Sequence, residues 1–207
     1  MELLTDPDTF LSKHRTFKES IVIVLIAGVI LSTISYTTAD AYVKVIKDVL
    51  VTKGLAANQV EVITSLMYYT TIITPIPVTF ISWFVIAGLL YLVSIPFGGK
   101  GEFKELLKLT AFSFTPTIIL SPINFYIANE ISKGVLIYGF EFLKTWNEVR
   151  IASIILNIAI TIWQYIYWTF AVKNARSLSL RSSAIVSLIP LAILIAISLV
   201  GSLSRIY

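Results

Sequence analysis

The chain has 207 residues, of which 57% are hydrophobic and 14% are charged, with a formal net charge of +4 and a mean hydropathy of +0.86. Soluble domains are about 45–50% apolar and about 25% charged, so this composition excludes a water-exposed globule and predicts an integral membrane protein. The 16 Lys and Arg residues are spread thinly between apolar runs, which argues against a nucleic-acid interface. The absence of cysteine excludes disulfides, thiolate metal sites and cysteine nucleophiles.

The N-terminal tail is predicted to form a short amphipathic helix over residues 7–18. Thr5 or Asp6 can cap this helix, Pro7 suits its first turn, and Phe10 begins its apolar face. Such a helix would lie on the inner leaflet before the first span. The alternative is a frayed cap on that span.

Five runs without Asp, Glu, Lys, Arg or His predict the membrane spans. A helix crosses about 30 Å of hydrocarbon with roughly 20 residues, and four of the runs have 19 to 23 residues. In the 38-residue run 62–99, Pro75 and Pro77 interrupt the helical pattern. We therefore assign residues 62–73 to the membrane interface or to a kinked extension of the second span. The predicted spans are residues 21–39, 78–96, 109–129, 151–172 and 182–204.

Small residues and prolines inside the spans predict how the helices pack. Gly28 and Ser32 are one turn apart and would let the first span approach a neighbour closely. Pro116 and Pro122 predict kinks in the third span, and Pro190 predicts one in the fifth.

The charges of the loops favour a cytoplasmic N-terminus. In that orientation the inner segments hold nine Lys or Arg residues and the outer segments hold seven. The short loop 173–181 contains three cations and no acid, and short loops carry most of the positive-inside signal. For a prokaryotic source, the expected location is the cell membrane.

Residues 98–108 look at first like a phosphate-binding loop. The P-loop pattern requires glycine where Ser94 stands and Ser or Thr where Gly101 stands, so the pattern fails. The segment predicts instead a flexible turn followed by an interfacial helix over residues 102–108. Cations in this segment and in the next inner loop are predicted to form a surface for lipid headgroups or a cytoplasmic partner. These cations are Lys100, Lys104, Lys108, Lys173, Arg176 and Arg181.

The predicted spans offer little catalytic chemistry. Ionisable residues within a membrane are the usual pointer to function, and the five spans contain none. His14 is the single histidine and lies outside the spans, beside Lys13 and Arg15, as an interfacial residue would. We therefore predict no catalytic residue, no metal site and no cofactor.

The polar side chains that remain inside the spans are amides and hydroxyls. Asn157, Thr161 and Gln164 follow one another at helical spacing on the fourth span, and Asn124 lies in the third. We expect these groups to make hydrogen bonds between helices, worth about 0.6–2 kcal/mol each. The alternative is that they line a substrate path.

Three short motifs occur in an order that resembles the Yip family of five-span membrane proteins. Residues 6–10 read Asp-Pro-Asp-Thr-Phe, similar to the family's DPxxF, and residues 98–107 are similar to its GGxGxFxxLL, followed by a run to a proline. Residues 171–176 end in Lys-Asn-Ala-Arg, like the family's lysine–alanine step before the last span. The residues that carry the resemblance are Asp6, Pro7, Phe10, Gly98, Gly99, Gly101, Phe103, Leu107 and Pro116.

The resemblance implies a five-helix protein with a cytoplasmic N-terminus that associates with other membrane proteins and, in eukaryotes, works in vesicle traffic with Rab-type GTPases. The tail here has only about 20 residues, which argues against binding of a prenylated GTPase and fits prokaryotic members. We expect a non-enzymatic scaffold whose partners are membrane lipids, other membrane proteins or a second copy of the chain. The alternative is a small permease or lipid-translocating protein that uses the polar stripe of the fourth span.

Overall fold

The computed structural model describes residues 2–13, 15–145 and 147–203, and this part of the chain contains helices and no strand. Four helices are long and apolar enough to cross a membrane, and one bent pair adds a fifth candidate. The protein is therefore an all-α polytopic membrane protein. In chain order the helices are α1 Glu2–Thr5, α2 Pro7–Ser12, α3 Phe17–Thr52, α4 Ala57–Ile73, α5 Pro75–Ser94, α6 Phe103–Thr110, α7 Thr115–Ile119, α8 Ser121–Tyr138, α9 Glu141–Lys144, α10 Glu148–Arg176 and α11 Leu180–Leu203.

The tail forms shorter helices than the sequence predicts. Asp6 caps α2, accepting hydrogen bonds from the Thr9 backbone N–H (3.1 Å) and hydroxyl (2.6 Å), but α2 ends at Ser12. Thr16 then caps α3 in a reciprocal arrangement with Glu19. The predicted helix over residues 7–18 is therefore wrong at its C-terminal half, because a second cap starts a new helix there. His14 lies outside the described residues.

The first span lies inside a much longer helix. α3 has 36 residues and is about 54 Å long at 1.5 Å per residue, whereas the hydrocarbon core is about 30 Å thick. α4 and α5 run antiparallel to α3: the Ser32 hydroxyl donates to the Ile72 carbonyl, and a Cβ on Gly28 would lie 3.2 Å from Ile76 Cα. The predicted close approach at Gly28 and Ser32 is confirmed.

Residues 62–73 lie in a helix that directly precedes α5. They lie in α4, which packs along α3, and Thr74 alone separates α4 from α5. Pro75 occupies the start of α5, where the missing N–H is tolerated, and the Val78 N–H donates to the Thr74 carbonyl (3.1 Å). The prolines therefore start a new helix that follows α4 directly, and the interfacial position of residues 62–73 stays a prediction.

The third predicted span corresponds to a bent pair of helical arms. α6, a 3₁₀ turn (Ala111–Phe114) and α7 form one arm, α8 forms the other, and the two arms meet at an angle of 55° around Leu120. Pro116 and Pro122 stand in the first turns of α7 and α8, so the predicted kink is confirmed.

The helix predicted over residues 102–108 is part of α6, which begins at Phe103 and ends at Thr110. Residues 106–117 are buried, so the second half of α6 lies within the bundle, whereas Lys104 and Glu105 in its first turn are exposed. Two carbonyls at the end of α6 receive hydrogen bonds from neighbouring helices: the Trp83 indole N–H donates to Leu107 O (2.8 Å) and the Ser20 hydroxyl to Lys108 O (2.9 Å). These donors satisfy carbonyls that a helix end leaves open.

The bundle has two different ends. The Lys100 N–H donates to the Arg176 carbonyl (2.8 Å) and Asp8 pairs with Lys173. The tail, the turn after α5 and the turn after α10 therefore lie together at one end, which we call the motif end. The turns after α3 and α8 lie at the opposite end, the far end, where the Tyr42 and Phe140 rings are 6.2 Å apart.

Candidate functional site

The buried guanidinium of Arg176 is the centre of the motif end. This side chain is 3% exposed, and it donates to Ser94 Oγ (2.9 Å), Gly99 O (2.7 Å) and Gly101 O. Its Cζ atom lies 4.1 Å from the centre of the Tyr91 ring. None of the ion pairs recorded within the described residues involves Arg176. Carbonyl and hydroxyl oxygens and an aromatic face therefore stabilise the charge and tie α10 to the turn after α5. We call this arrangement the Arg176 staple.

The glycines of residues 98–101 are required by the staple. Gly101 has φ +106°, and a Cβ there would collide with the carbonyl oxygen of Ala175. A Cβ on Gly99 would lie 2.8 Å from the Ser94 carbonyl, and Gly98 has φ +80°. The glycine pattern thus lets the backbone turn tightly against α10 and present its carbonyls to Arg176.

The second half of the same motif fills the core next to the staple. The Phe103 ring meets the Tyr91 ring edge-on at 5.6 Å, while Leu106 and Leu107 are 0% and 5% exposed. This packing directs the Leu107 carbonyl toward Trp83, which is 2% exposed. The motif therefore acts as one packed unit.

The tail is docked beneath this unit. Asp8 pairs with Lys173 and accepts a hydrogen bond from the Asn174 amide (3.0 Å). The Phe10 ring meets the Phe112 ring edge-on at 5.2 Å, and Leu11 is 2% exposed. At the start of α2, the two hydrogen bonds from Thr9 lower the pKa of the Asp6 side chain, which keeps the capping carboxylate ionised.

The three motifs therefore meet at one place although they are far apart in the sequence. The family model of the Yip1 domain matches residues 1–201. The chain belongs to the Yip1 domain family. An uncharacterised protein of the archaeon Methanocaldococcus jannaschii is 29% identical over 141 residues, which cover 64% of this chain and 92% of that protein. No solved structure has a significant match to the chain.

The cationic surface predicted from the sequence of this Yip1 domain is only partly present. Arg176 and Lys108 are buried, and Lys108 Nζ lies 2.7 Å from a Glu105 carboxylate oxygen. Lys173 is paired with Asp8. The prediction is therefore wrong for Arg176 and Lys108, because both side chains find partners inside the fold. The residues that remain exposed are Lys100, Lys104 and Arg181.

The polar stripe of the fourth span does not behave as one unit. Gln164 approaches Thr117 of α7, with Nε2 and Oγ1 3.5 Å apart. Asn157 is exposed and donates to Ser153 O of its own helix (2.8 Å), and Thr161 donates to Asn157 O (2.8 Å). The expectation that Asn157 faces another helix is wrong.

The position of the third span explains the exposure of Asn157. Ile127 of α8 packs against Leu156 and Ile160 of α10. Leu156 directly precedes Asn157, so the two side chains point about 100° apart around α10. Asn124, in α8, is half-buried. The four polar residues therefore do not converge on a common partner.

Two clefts lie beside these features. One, which we call the tail cleft, has a volume of about 340 Å³ and lies between the tail, α6 and the end of α10. The other is a groove of about 250 Å³ between α3 and the start of α8, lined by residues such as Ile34 and Phe125. Neither cleft is lined by the amides of the predicted stripe. The described residues contain no group of three His, Asp or Glu side chains that could hold a metal ion.

Several residues of the site could not be chosen from the sequence. In the sequence, Ser94 stands out only as a mismatch to the P-loop pattern, yet its hydroxyl accepts a hydrogen bond from Arg176. Tyr91 and Phe112 stood in apolar runs with no distinguishing neighbour. The position of Arg176 in the sequence is the one feature that could have indicated this site. A cation so close to the end of an apolar span needs oxygen partners if it is buried.

Proposed function

We propose that this Yip1 domain is a non-enzymatic membrane scaffold that binds lipids or other membrane proteins, with its motif end on the cytoplasmic side of the cell membrane. The observation that supports it best is the Arg176 staple. The charged and polar groups of the three motifs are largely engaged with one another, in a packed core, and so they fix a shape. A catalytic site would instead hold a nucleophile or base free to meet a substrate.

The outer surface of the bundle supports the same proposal. Large apolar side chains of α3 and α5 point outward, including Val22 (52% exposed), Val29 (47%) and Ile81 (60%). In a bilayer such faces meet lipid chains or the helices of a partner. A protein with a rigid end and wide apolar faces is suited to organise neighbours in the membrane.

The permease alternative has weaker support. A carrier holds its substrate in polar groups near the middle of the membrane and switches access between two sides. The Gln164–Thr117 contact is a single hydrogen bond at 3.5 Å, and Asn157 is on the outer surface. These residues do not enclose a polar site together.

Two measurements test the scaffold, and a third tests its orientation. Reconstitution into liposomes should show no solute flux or lipid flipping above that of empty vesicles, whereas purification from native membranes should retain lipids or membrane proteins. Robust flux abolished by Gln164→Leu would overturn the scaffold in favour of transport.

For the orientation, Lys100→Cys, Lys104→Cys and Arg181→Cys should label from the cytoplasmic side and Gly54→Cys from the other side. The reverse labelling pattern would reject the proposed orientation.

A further inference from the structure

The tail cleft is lined by charged and polar side chains that take no part in the Arg176 staple. The tail contributes two cations, Lys13 and Arg15, and α6 and α10 contribute Glu105 and Asn174. Its volume of about 340 Å³ falls within the range of about 300–1,000 Å³ that is usual for small-molecule sites. The cleft is thus large enough for a headgroup and carries both donors and acceptors.

Arg15 is held in position at the cleft. Its Nε and Nη2 atoms donate to the Phe10 carbonyl (3.1 and 2.8 Å), and its Cζ atom lies 3.5 Å from the centre of the Phe10 ring. Within the described residues, Nη1 makes no hydrogen bond. A guanidinium that is already oriented and has N–H groups to spare is well suited to bind a phosphate group.

The other side chains of the cleft favour hydroxyl groups. Both N–H groups of the Asn174 amide are used, on Asp8 Oδ1 (3.0 Å) and Phe170 O (2.9 Å), which leaves its oxygen as an acceptor. The Glu105 carboxylate is about half exposed and is partly neutralised by Lys108. Acceptors next to two cations match a ligand that has hydroxyl donors next to a phosphate.

The place of the cleft along the chain favours a lipid headgroup as its ligand. Arg15 comes just before α3, and Asn174 comes one turn after the aromatic run of residues 163–170 on α10. Tyr167 and Trp168 of this run are buried in the core, whereas Trp163, Tyr165 and Phe170 are half-buried, as aromatic side chains at a membrane interface are. We therefore expect the cleft to lie near the phosphates of a leaflet.

We propose that the tail cleft binds the phosphate ester of a polyol, the chemistry of the headgroup of an anionic phospholipid such as phosphatidylglycerol. Lys13 and Arg15 bind the phosphate, and Glu105 and Asn174 accept hydrogen bonds from the polyol. This site deepens the proposed function and rests on its lipid-binding part. A soluble polyol phosphate has the same chemistry, so the test includes both sources.

The test is a titration of the full chain in detergent with phosphatidylglycerol, phosphatidylcholine or glycerol 3-phosphate, followed by native mass spectrometry. Phosphatidylglycerol should bind at least about tenfold tighter than phosphatidylcholine, since two cations each favour an anionic headgroup by about fivefold. Lys13→Gln should weaken phosphatidylglycerol binding about fivefold. Lys13 is exposed, so this variant should fold normally.

Matched variants separate the cleft from general surface charge. Lys104→Gln removes an exposed cation outside the cleft and should leave the affinity within about twofold of the original. Glu2→Gln removes the acid that pairs with Lys13 and should tighten binding. Equal affinities for the two lipids, or equal losses in Lys13→Gln and Lys104→Gln, would overturn the proposal.

The remaining outcomes identify the ligand source and separate the two proposals. Displacement of phosphatidylglycerol by equimolar glycerol 3-phosphate supports the site and assigns it to the soluble ester, whereas no displacement assigns it to the lipid. Phosphatidylglycerol binding that is unaffected by Lys13→Gln and by Arg15→Gln rejects the cleft but leaves the scaffold standing. Loss of all lipids and proteins on purification from native membranes rejects the scaffold, and the cleft is then judged by the titration alone.

Discussion

The motif end and the far end of the bundle are built in different ways. At the motif end, Trp83, Tyr167 and Trp168 are at most 2% exposed and are surrounded by further apolar side chains. Along α3, four of the six buried residues lie between Ser20 and Gly28, and the other two are alanines further on. Since lipid is as apolar as leucine, packing within a membrane gains little from the hydrophobic effect alone. At the motif end, hydrogen bonds and tight backbone contacts therefore join the tail, the turn after α5 and the end of α10.

The largest expected effect comes from removing the cation of the staple. Arg176→Met leaves the Ser94 hydroxyl and two carbonyls without their donor, and since each unsatisfied acceptor costs about 1–3 kcal/mol, we expect a loss of about 3–5 kcal/mol of stability. Thermal unfolding in detergent, followed by circular dichroism, measures it. As a control, Arg181→Gln changes an exposed residue in the first turn of α11 and should change stability by less than about 0.5 kcal/mol. Equal midpoints for the two variants would show that the staple contributes nothing.

A pair of glycine variants compares the two ends directly. Gly101 and Gly54 both have positive φ, +106° and +79°, but a Cβ meets Ala175 at Gly101 and nothing within 4 Å at Gly54. Gly54→Ala should cost about 1 kcal/mol from backbone strain alone, and Gly101→Ala should cost about 2–4 kcal/mol because it also overpacks. The midpoints of unfolding give the difference, and similar costs would contradict the tight approach at the motif end.

The docked tail should come loose when its aromatic contact is removed. Phe10→Ala takes away the contacts with Phe112 and with the Arg15 guanidinium, and we expect it to weaken docking by about 2 kcal/mol. Limited proteolysis of the tail should then be faster while the rest of the chain stays intact. Phe97→Ala, at a residue that is 42% exposed, is the control, and equal digestion of both variants would contradict docking through Phe10.

The smallest effect is expected at the polar stripe. Gln164→Leu removes the hydrogen bond to Thr117 and should lower stability by about 0.6–1 kcal/mol. Asn157→Leu should be neutral or slightly stabilising, because its amide is exposed and bonds only within α10. If Asn157→Leu is the more damaging of the two, that residue meets a partner in the membrane.

The membrane class and the broad positions of the helices could be predicted because they depend on composition and on runs without charge. The kink near Pro116 and Pro122 could be predicted because proline acts locally. The close approach at Gly28 follows in the same way from a small residue on an apolar helix.

The errors arose where contacts distant in sequence decide the outcome. The sequence predicts that α6 is amphipathic, with Lys104 and Lys108 on its polar face, yet Lys108 is buried in the structure. Arg176 looked like a surface cation because the carbonyls that bind it come together only when the turn at residues 98–101 folds. Asn157 was expected to face a neighbour, but the bend at Leu120 directs α8 against the adjacent face of α10. The spacing of apolar and polar residues along the sequence predicts none of these outcomes.

The antiparallel register of α3 with α4 and α5 decides where the chain tolerates added residues. One residue inserted into α3 after Ser32 would rotate everything beyond it by about 100°, which would turn the exposed Asp40 and Lys44 away from their present directions. The turn around Gly54 carries no such constraint, since nothing lies within 4 Å of that glycine's missing side chain. A fluorescent or epitope tag placed in this turn should therefore leave both the helix register and the motif end undisturbed.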